Sequence, residues 1–267
     1  MSDSITSRLS QALLHRPDAA VSAIDWCELN YAYTPHVAEL WNTMSSLLFV
    51  AAGASMLGAA RRLRLPPLLV AAGPLTALTG AASALFHATL WLGGQRADEV
   101  AENLTLVALL HAAFEAGGGA EAAIGARALV HGAVAAAGIL LVSAFLFTEL
   151  HLILTAVALT RQLQLLAQPV SARPGAAGAA FSARLQAAAL AGLVGATCWL
   201  LDKVACSALT AAGNPQLHAW WHVLGAVCLH EAFNAAAIAH VVLRRSEPCP
   251  GLVPMLKGLV YELRVRK

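Results

Sequence analysis

The sequence predicts an all-α membrane protein, a bundle of seven transmembrane helices. Hydrophobic residues make up 58% of the 267 positions, and charged residues only 12%. Soluble domains carry about 25% charged residues, so a soluble fold of this length could not cover its surface with so few charges. The mean hydropathy of +0.66 agrees with this interpretation. The composition therefore excludes a soluble globular protein.

The charge also limits the class of partner. The formal net charge of +2 is small and dispersed along the chain, whereas nucleic-acid binding proteins concentrate positive charge on one face. We therefore expect membrane lipids as partners and no nucleic acid. The sequence leaves the oligomeric state open.

Seven stretches are long and apolar enough to cross a bilayer, which takes about 20 mostly apolar residues. We predict spans at residues 40–60, 66–90, 98–115, 127–147, 149–168, 183–206 and 217–243. The fourth and fifth spans are separated only by Phe147, Thr148 and Glu149, which predicts a tight hairpin. All spans belong to one domain.

The remaining segments lie outside the bundle of residues 40–243. Residues 1–39 form an extramembrane N-terminal segment, and residues 244–267 form a tail. Within the tail, Leu252 to Lys267 mixes apolar and basic residues, as expected of an amphipathic segment at the membrane interface.

Orientation follows from the basic residues of the loops. Cytoplasmic loops carry an excess of Lys and Arg. Alternate loops and the tail hold most of the basic residues: Arg61, Arg62, Arg64, Arg127, Arg161, Arg173, Arg184, Arg244, Arg245, Lys257, Arg264, Arg266 and Lys267. We therefore predict an N-terminus outside and a C-terminus in the cytoplasm.

Two histidines lie one helical turn apart at the start of the seventh span. His218 and His222 are four residues apart, so their imidazoles share one helical face and can reach one metal ion. Helical His pairs bind zinc with this spacing. Two interfacial histidines flanked by membrane-belt tryptophans would give the same pattern, which leaves both interpretations open.

His87 is a third candidate ligand, near the outer end of the second span and at the depth of His218 and His222. Three histidines leave the fourth position of zinc open for water, which is the arrangement of catalytic zinc sites. Zinc lowers the pKa of that water to about 7 and polarises a carbonyl group. Three histidines around zinc would therefore predict hydrolysis.

Ser83 and Asp98 are the candidate catalytic residues beside these histidines. Ser83 lies one turn before His87 and could donate a hydrogen bond to a developing oxyanion, or it could be a small packing residue. Asp98, at the start of the third span, could take a proton from water and pass it to a leaving amine. Its alternative role is that of an acidic residue favoured by the helix dipole.

Oxygen-bearing side chains are concentrated just before the first span. Asp25, Glu28, Asn30 and Glu39 supply hard oxygen ligands, which suit Ca²⁺ better than zinc. Their spacing is not that of an EF-hand. On the pattern alone, an exposed acidic loop is the better interpretation.

Five motifs together resemble the alkaline ceramidase family of seven-span, zinc-dependent membrane amidases. They are DWCELNY (residues 25–31), AELWNTMS (38–45), SALFHATL (83–90), GQRADE (94–99) and HAWWH (218–222). Their order and separations are similar to those of the family, so the resemblance covers almost the whole chain. Each motif is modest, but five in register are specific.

The resemblance implies roles for individual residues. It implies a catalytic zinc ion held by His87, His218 and His222, with Ser83 and Asp98 beside it. It implies a structural or regulatory Ca²⁺ held by Asp25, Glu28, Asn30, Glu39 and the backbone carbonyl of Trp26. It also implies a disulfide between Cys27 and Cys206, which would leave Cys198, Cys228 and Cys249 as thiols.

The expected function is hydrolysis of the amide bond of ceramide or a ceramide-like N-acyl lipid, in sphingolipid metabolism. The products would be a fatty acid and a sphingoid-type amine. The alternatives are a seven-span receptor-like protein with a structural metal and a related lipid hydrolase of different substrate. Segments rich in Ala and Gly suggest a GC-rich bacterial genome, hence a bacterial inner membrane with the metal sites towards its outer face.

Overall fold

The computed structural model describes residues 21–22, 24–142 and 145–247. The helices are α1 (Leu40–Arg62), α2 (Pro67–Thr89), α3 (Leu92–Ala116), α4 (Glu121–Val142), α5 (Phe145–Ser171), α6 (Ala177–Val204), the short α7 (Cys206–Ala211) and α8 (Leu217–Ala239). A π-helix, His240–Arg244, continues α8. Within the described ranges, one isolated bridge between Val21 and Trp91 is the only β-pairing. The prediction of an all-α fold is confirmed.

Six of the long helices are long and apolar enough to cross a membrane, which makes the chain a multi-pass membrane protein. They are α1, α2, α4, α5, α6 and α8. Helix α3, which contains the predicted third span, is not among them. It carries Arg96, Asp98, Glu99, Glu102 and Glu115. The count of seven spans and the orientation of the termini therefore stay predictions.

The helix of the fifth span begins earlier than the sequence predicted. Helix α5 begins at Phe145, so Phe147, Thr148 and Glu149 belong to the start of α5. Thr148 is buried, and Glu149 lines an internal cavity of the bundle. Thr148 and Glu149 indicated a turn in the sequence, whereas in the fold Thr148 is buried and Glu149 faces the cavity.

Helices α1 and α2 approach each other closely because glycines line their contact. A Cβ atom on Gly53 would lie 2.4 Å from the carbonyl oxygen of Gly73, and one on Gly80 would lie 2.7 Å from that of Ser46. Small residues let membrane helices approach in this way. The close contact brings Ser46 of α1 within hydrogen-bonding distance of Ser83 of α2.

Helix α8 lies at the centre of the bundle and packs mainly against α6 and α1. Phe233 and Ile238 are fully buried. The first turns of this central helix carry His218 and His222, which are buried as well.

The segment before α1 runs along the end of α2. The amides of Ala38 and Glu39 donate hydrogen bonds to the carbonyls of Ala88 and His87, each at 3.0 Å. These bonds place the Glu39 side chain beside His87. The predicted interfacial segment of residues 252–267 and the thiol of Cys249 lie outside the described residues.

Candidate metal centre and active site

Three buried histidines converge where α2 ends and α8 begins. One ring nitrogen each from His87, His218 and His222 lies within 4.8 Å of the other two. The ring centroids are 5.1 Å apart for His87 and His218, 4.9 Å for His87 and His222, and 4.6 Å for His218 and His222. Among the described residues, this is the one group of three His, Cys, Asp or Glu side chains placed to hold a metal ion.

Hydrogen bonds orient two of the rings towards a shared centre. His87 Nδ1 contacts a carboxylate oxygen of Glu39, and His222 Nδ1 lies 3.2 Å from the carbonyl oxygen of Asn42 and 2.9 Å from Ser45 Oγ. Because a carbonyl oxygen only accepts, a hydrogen bond to Asn42 requires the proton of His222 to be on Nδ1. The Nε2 lone pair then stays available. Bonds of this kind orient metal-ligating histidines.

The donor set fits zinc. The third histidine, His218, has a buried Nδ1 without a hydrogen-bond partner, a polar atom that a bound ion or water would satisfy. Three imidazoles are the protein ligands of one type of catalytic zinc site, which keeps its fourth position open. The structure thus brings together the three histidines predicted as ligands.

Ser83 and Asp98 lie on the same cavity as the histidines. The cavity has a volume of about 350 Å³. Ser46 Oγ donates to Ser83 Oγ at 3.1 Å, and Ser83 and Asp98 both line the cavity together with the histidines. The hydrogen bond from Ser46 therefore fixes the Ser83 hydroxyl at this cavity.

The sequence predicted that Asp98 starts its helix, and this is wrong. Helix α3 begins at Leu92, so Asp98 lies in its second turn. The helix dipole stabilises acidic groups within the first turn only. The alternative role of Asp98, as a residue favoured by the dipole, therefore lacks its main physical basis.

The rest of the cavity has an aromatic side and an acidic side. The aromatic side includes Trp26, Trp199 and Trp221. The acidic side adds Glu99, Glu102 and Glu149, none of which the sequence indicated as a site residue. Glu102 could have been found, because it lies four residues after Asp98 and so on the same helical face.

The predicted calcium ligands lie together but point in different directions. Glu28 accepts hydrogen bonds from the amides of Trp41 at 2.7 Å and Asn42 at 2.9 Å, so both its oxygens bind the start of α1. Asn30 donates to Asp25 at 2.9 Å. Glu39 faces His87. The carboxylates of Asp25, Glu28 and Glu39 therefore do not form a convergent group.

Two of these carboxylates are buried, which is costly for negative charge. Burial raises the pKa of Glu28, although hydrogen bonds from the backbone of Trp41 and Asn42 act to lower it. Burial raises the pKa of Glu39 to about 7, although hydrogen bonds from Asn42 and Trp26 act to lower it. A bound cation would favour the charged form of both groups.

Trp26 joins the N-terminal segment to the metal centre. Its indole ring stacks on the imidazole of His218, with centroids 3.7 Å apart and an angle of 19° between the planes. A shift of the segment that carries the predicted calcium ligands would therefore move the ring that packs on His218.

Cys27 and Cys206 form a disulfide in the structure, with Cα atoms 5.3 Å apart. It ties the N-terminal segment to the start of α7. The other described cysteines, Cys198 and Cys228, are free.

Thiol labelling tests this pairing. With the disulfide formed, intact-mass analysis of unreduced, denatured protein is expected to find three alkylated cysteines per chain: Cys198, Cys228 and Cys249. Cys198→Ala should lower the number to two. Five labels on wild-type protein would show that the bridge is absent.

Comparison with known proteins agrees with the geometry. The ceramidase family matches residues 18–251 of the chain. An alkaline ceramidase of Drosophila melanogaster is 27% identical over 226 residues, which cover 76% of this chain and 71% of the fly protein. One of Arabidopsis thaliana is 26% identical over 208 residues, 76% of this chain and 77% of the plant protein. Alkaline ceramidase 3 of Mus musculus is 35% identical over 96 residues, 35% of each chain.

The chain belongs to the ceramidase family. It is a hydrolase that acts on an amide bond, and the family resemblance of the sequence motifs is confirmed.

Proposed function

We propose that the protein is a zinc-dependent amidase that cleaves ceramide or a ceramide-like N-acyl lipid to a fatty acid and a sphingoid-type amine. The observation that carries this proposal is the convergence of His87, His218 and His222 on the cavity that also holds Ser83 and Asp98. The names of the relatives from fly and plant support ceramide as the substrate class.

The three histidines would hold the metal through one ring nitrogen each. A zinc ion there would act as a Lewis acid towards the amide carbonyl and lower the pKa of a water molecule to near neutrality. Glu39 and Asn42 keep His87 and His222 turned towards that position.

Asp98 would move the proton. Its carboxylate lines the cavity beside the histidines and would take a proton from the attacking water. It would then give that proton to the leaving nitrogen, so that the products are a carboxylic acid and a free amine. The same carboxylate can serve first as a base and then as an acid, because the proton that it takes from water in the first step is the proton that it gives to nitrogen in the second.

Ser83 supports this step in two ways. Its hydroxyl lines the cavity together with the Asp98 carboxylate and would hold that carboxylate by a hydrogen bond. Ser46 donates to Ser83 from the other side, which fixes the hydroxyl near the histidines. Once substrate is bound, the same hydroxyl could donate to the oxyanion that develops at the carbonyl.

The bundle supplies the lipid-binding surface. Leu152, Ile153 and Leu200 line the cavity together with its tryptophans, so an acyl chain can pack against apolar side chains while the amide meets the histidines. We propose that α3 completes seven spans, with the N-terminus outside, the metal centre towards the outer face and the C-terminus in the cytoplasm. The compared relatives are eukaryotic, so they do not support the bacterial inner membrane expected from composition.

The alternatives differ in what they require of the site. A receptor-like protein has no need for a serine and an aspartate beside three converging histidines. An ester hydrolase, or an amidase of a lipid without a sphingoid base, would use the same groups. The substrate therefore has to be measured.

A substrate panel separates these possibilities. Purified protein is incubated with a ceramide, an N-acylethanolamine and a diacylglycerol of matched acyl chain, each with and without a zinc chelator. We expect chelator-sensitive release of fatty acid that is fastest from the ceramide. Faster cleavage of the N-acylethanolamine or the diacylglycerol would show that this lipid, and not ceramide, represents the substrate class. Release of fatty acid that is unaffected by a chelator that strips the metal would reject the zinc mechanism.

We also propose that Ca²⁺ binds Asp25, Trp26, Glu28, Asn30 and Glu39 and holds the N-terminal segment over the bundle. The support is the cluster of oxygen groups in this segment and the stacking of Trp26 on His218. The carboxylates would have to turn towards one another to bind the ion.

Calcium is therefore expected to stabilise the fold and tune activity without taking part in the chemistry. A ligand at a hundred times its Kd adds about 2.7 kcal/mol to the free energy of unfolding, which corresponds to a rise in Tm of roughly 5 °C or more for a chain of this size. Asp25→Asn should reduce this shift but leave the Tm without Ca²⁺ unchanged, because Asp25 contacts Asn30 at the surface. A Tm that ignores Ca²⁺ in protein stripped of metal would count against the site.

A further inference from the structure

The carboxylate of Asp202 lies near the end of α6 and is almost completely buried, with 2% of its surface exposed. One of its oxygens accepts a hydrogen bond from the backbone amide of His218 at 3.2 Å. The other accepts one from the backbone amide of Cys27 at 3.0 Å. A single buried side chain therefore ties three separate segments together.

We propose that Asp202 is a positioning residue for the metal ligand His218, an inference that rests on the proposed zinc site. It would act on the histidine in two ways: through the backbone of His218 itself and through the aromatic ring that covers its imidazole.

The first route is the start of α8. The first four amides of a helix have no partner within the helix, and His218 is the second residue of α8. The residue before the helix, Gln216, makes no side-chain cap. Asp202 supplies the missing acceptor from a neighbouring helix, and its negative charge is favoured at a helix N-terminus. It thereby fixes the first turn, from which the imidazole of His218 projects.

The second route passes through Cys27. Its amide is held by Asp202, its carbonyl oxygen accepts a hydrogen bond from Asn214 at 2.6 Å, and its sulfur is bonded to Cys206. The residue before it is Trp26, whose ring lies on His218 with centroids 3.7 Å apart. By holding Cys27, Asp202 keeps this ring in place against the imidazole.

The test is Asp202→Asn, measured as the zinc Kd of metal-free protein by competition with a chromophoric chelator. An amide of the same size has one oxygen to accept with, so one of the two backbone amides would face an N–H group. Loss of a partner that orients a metal ligand typically costs about 10–100-fold in metal affinity. We expect a zinc Kd raised within that range, and a changed visible absorption spectrum of the Co²⁺-substituted protein.

Glu231→Gln is the matched control. Glu231 is also buried, lies on α8, and pairs with Arg184 at 2.9 Å and with His230 at 3.3 Å, so its loss should lower the Tm without touching His87, His218 or His222. A second variant, Asp202→Glu, keeps the charge and both acceptor oxygens and is expected to recover part of the zinc affinity that Asp202→Asn loses.

The outcomes separate this inference from the proposed function. If wild-type protein does not bind zinc, both are overturned. If wild-type protein binds zinc and Asp202→Asn binds it with an equal Kd, the role of Asp202 alone is overturned. Two further results would overturn the role of Asp202 alone. One is that Glu231→Gln raises the zinc Kd as much as Asp202→Asn does when both variants lose the same amount of Tm. The other is that Asp202→Glu binds zinc no better than Asp202→Asn.

Discussion

Replacing His218 with alanine is expected to abolish both zinc retention and hydrolysis. The variant leaves two imidazoles, His87 and His222, around a centre that uses three, and the indole of Trp26 cannot supply a ligand. Zinc per chain, measured by elemental analysis after gel filtration, should fall from about one to near zero, because catalytic zinc sites use three protein ligands and the variant retains two. Fatty-acid release from the ceramide should fall to background.

His36→Ala is the control for this experiment, because His36 is exposed and lies outside the cavity. It should retain zinc and activity. Insertion into the membrane should be the same for both variants, since one histidine does not alter the apolar length of α8. Stoichiometric zinc in a variant that lacks all three histidines would contradict the metal centre.

Asp98→Asn is expected to bind zinc and lipid but to turn over at least about a hundredfold more slowly. Asparagine keeps the size of the side chain and can still accept a hydrogen bond, but it cannot take up a proton. General acid–base catalysis contributes typically about 10²–10⁴-fold to a rate. The measurement is kcat under saturating ceramide, together with the zinc content of the variant.

Glu115→Gln is the control on the same helix. Glu115 is buried near the other end of α3 and has no part in the cavity. If it slows turnover as much as Asp98→Asn, the loss reflects a general effect of neutralising a buried carboxylate. Near-normal kcat in Asp98→Asn would remove Asp98 from the mechanism.

The bundle could be predicted from sequence because apolar length is a local property. The ends of α1, α2 and α8 lie within four residues of the predicted spans. The start of α5 was misplaced because Glu149 indicated a loop. Its acidic group instead lines the cavity that also holds the three histidines, which composition alone does not reveal.

The metal centre could be predicted only in part. The spacing of His218 and His222 places them on one helical face, but nothing local joins them to His87, which comes from a helix more than a hundred residues earlier. Their similar depth in the predicted bundle suggested that link, and the family motifs made it specific. Asp202 had no such signal, because its two partners are backbone amides, and those leave no trace in the sequence.

Glu39 shows the limit of assigning one role to one motif. The sequence grouped it with the predicted calcium ligands, whereas the structure places its carboxylate on His87. The cause is the run of hydrogen bonds between residues 38–39 and the end of α2, a pairing of distant segments. Glu39 therefore belongs structurally to both the N-terminal segment and the metal centre.

The most direct test of the zinc mechanism is a titration of metal-free protein with zinc while ceramide hydrolysis is followed. We expect activity to be absent without metal and to rise in proportion to bound zinc until it levels off at one ion per chain. Ca²⁺ or Mg²⁺ alone should not restore it. Full activity in metal-free protein, or activity that does not follow zinc occupancy, would contradict the account.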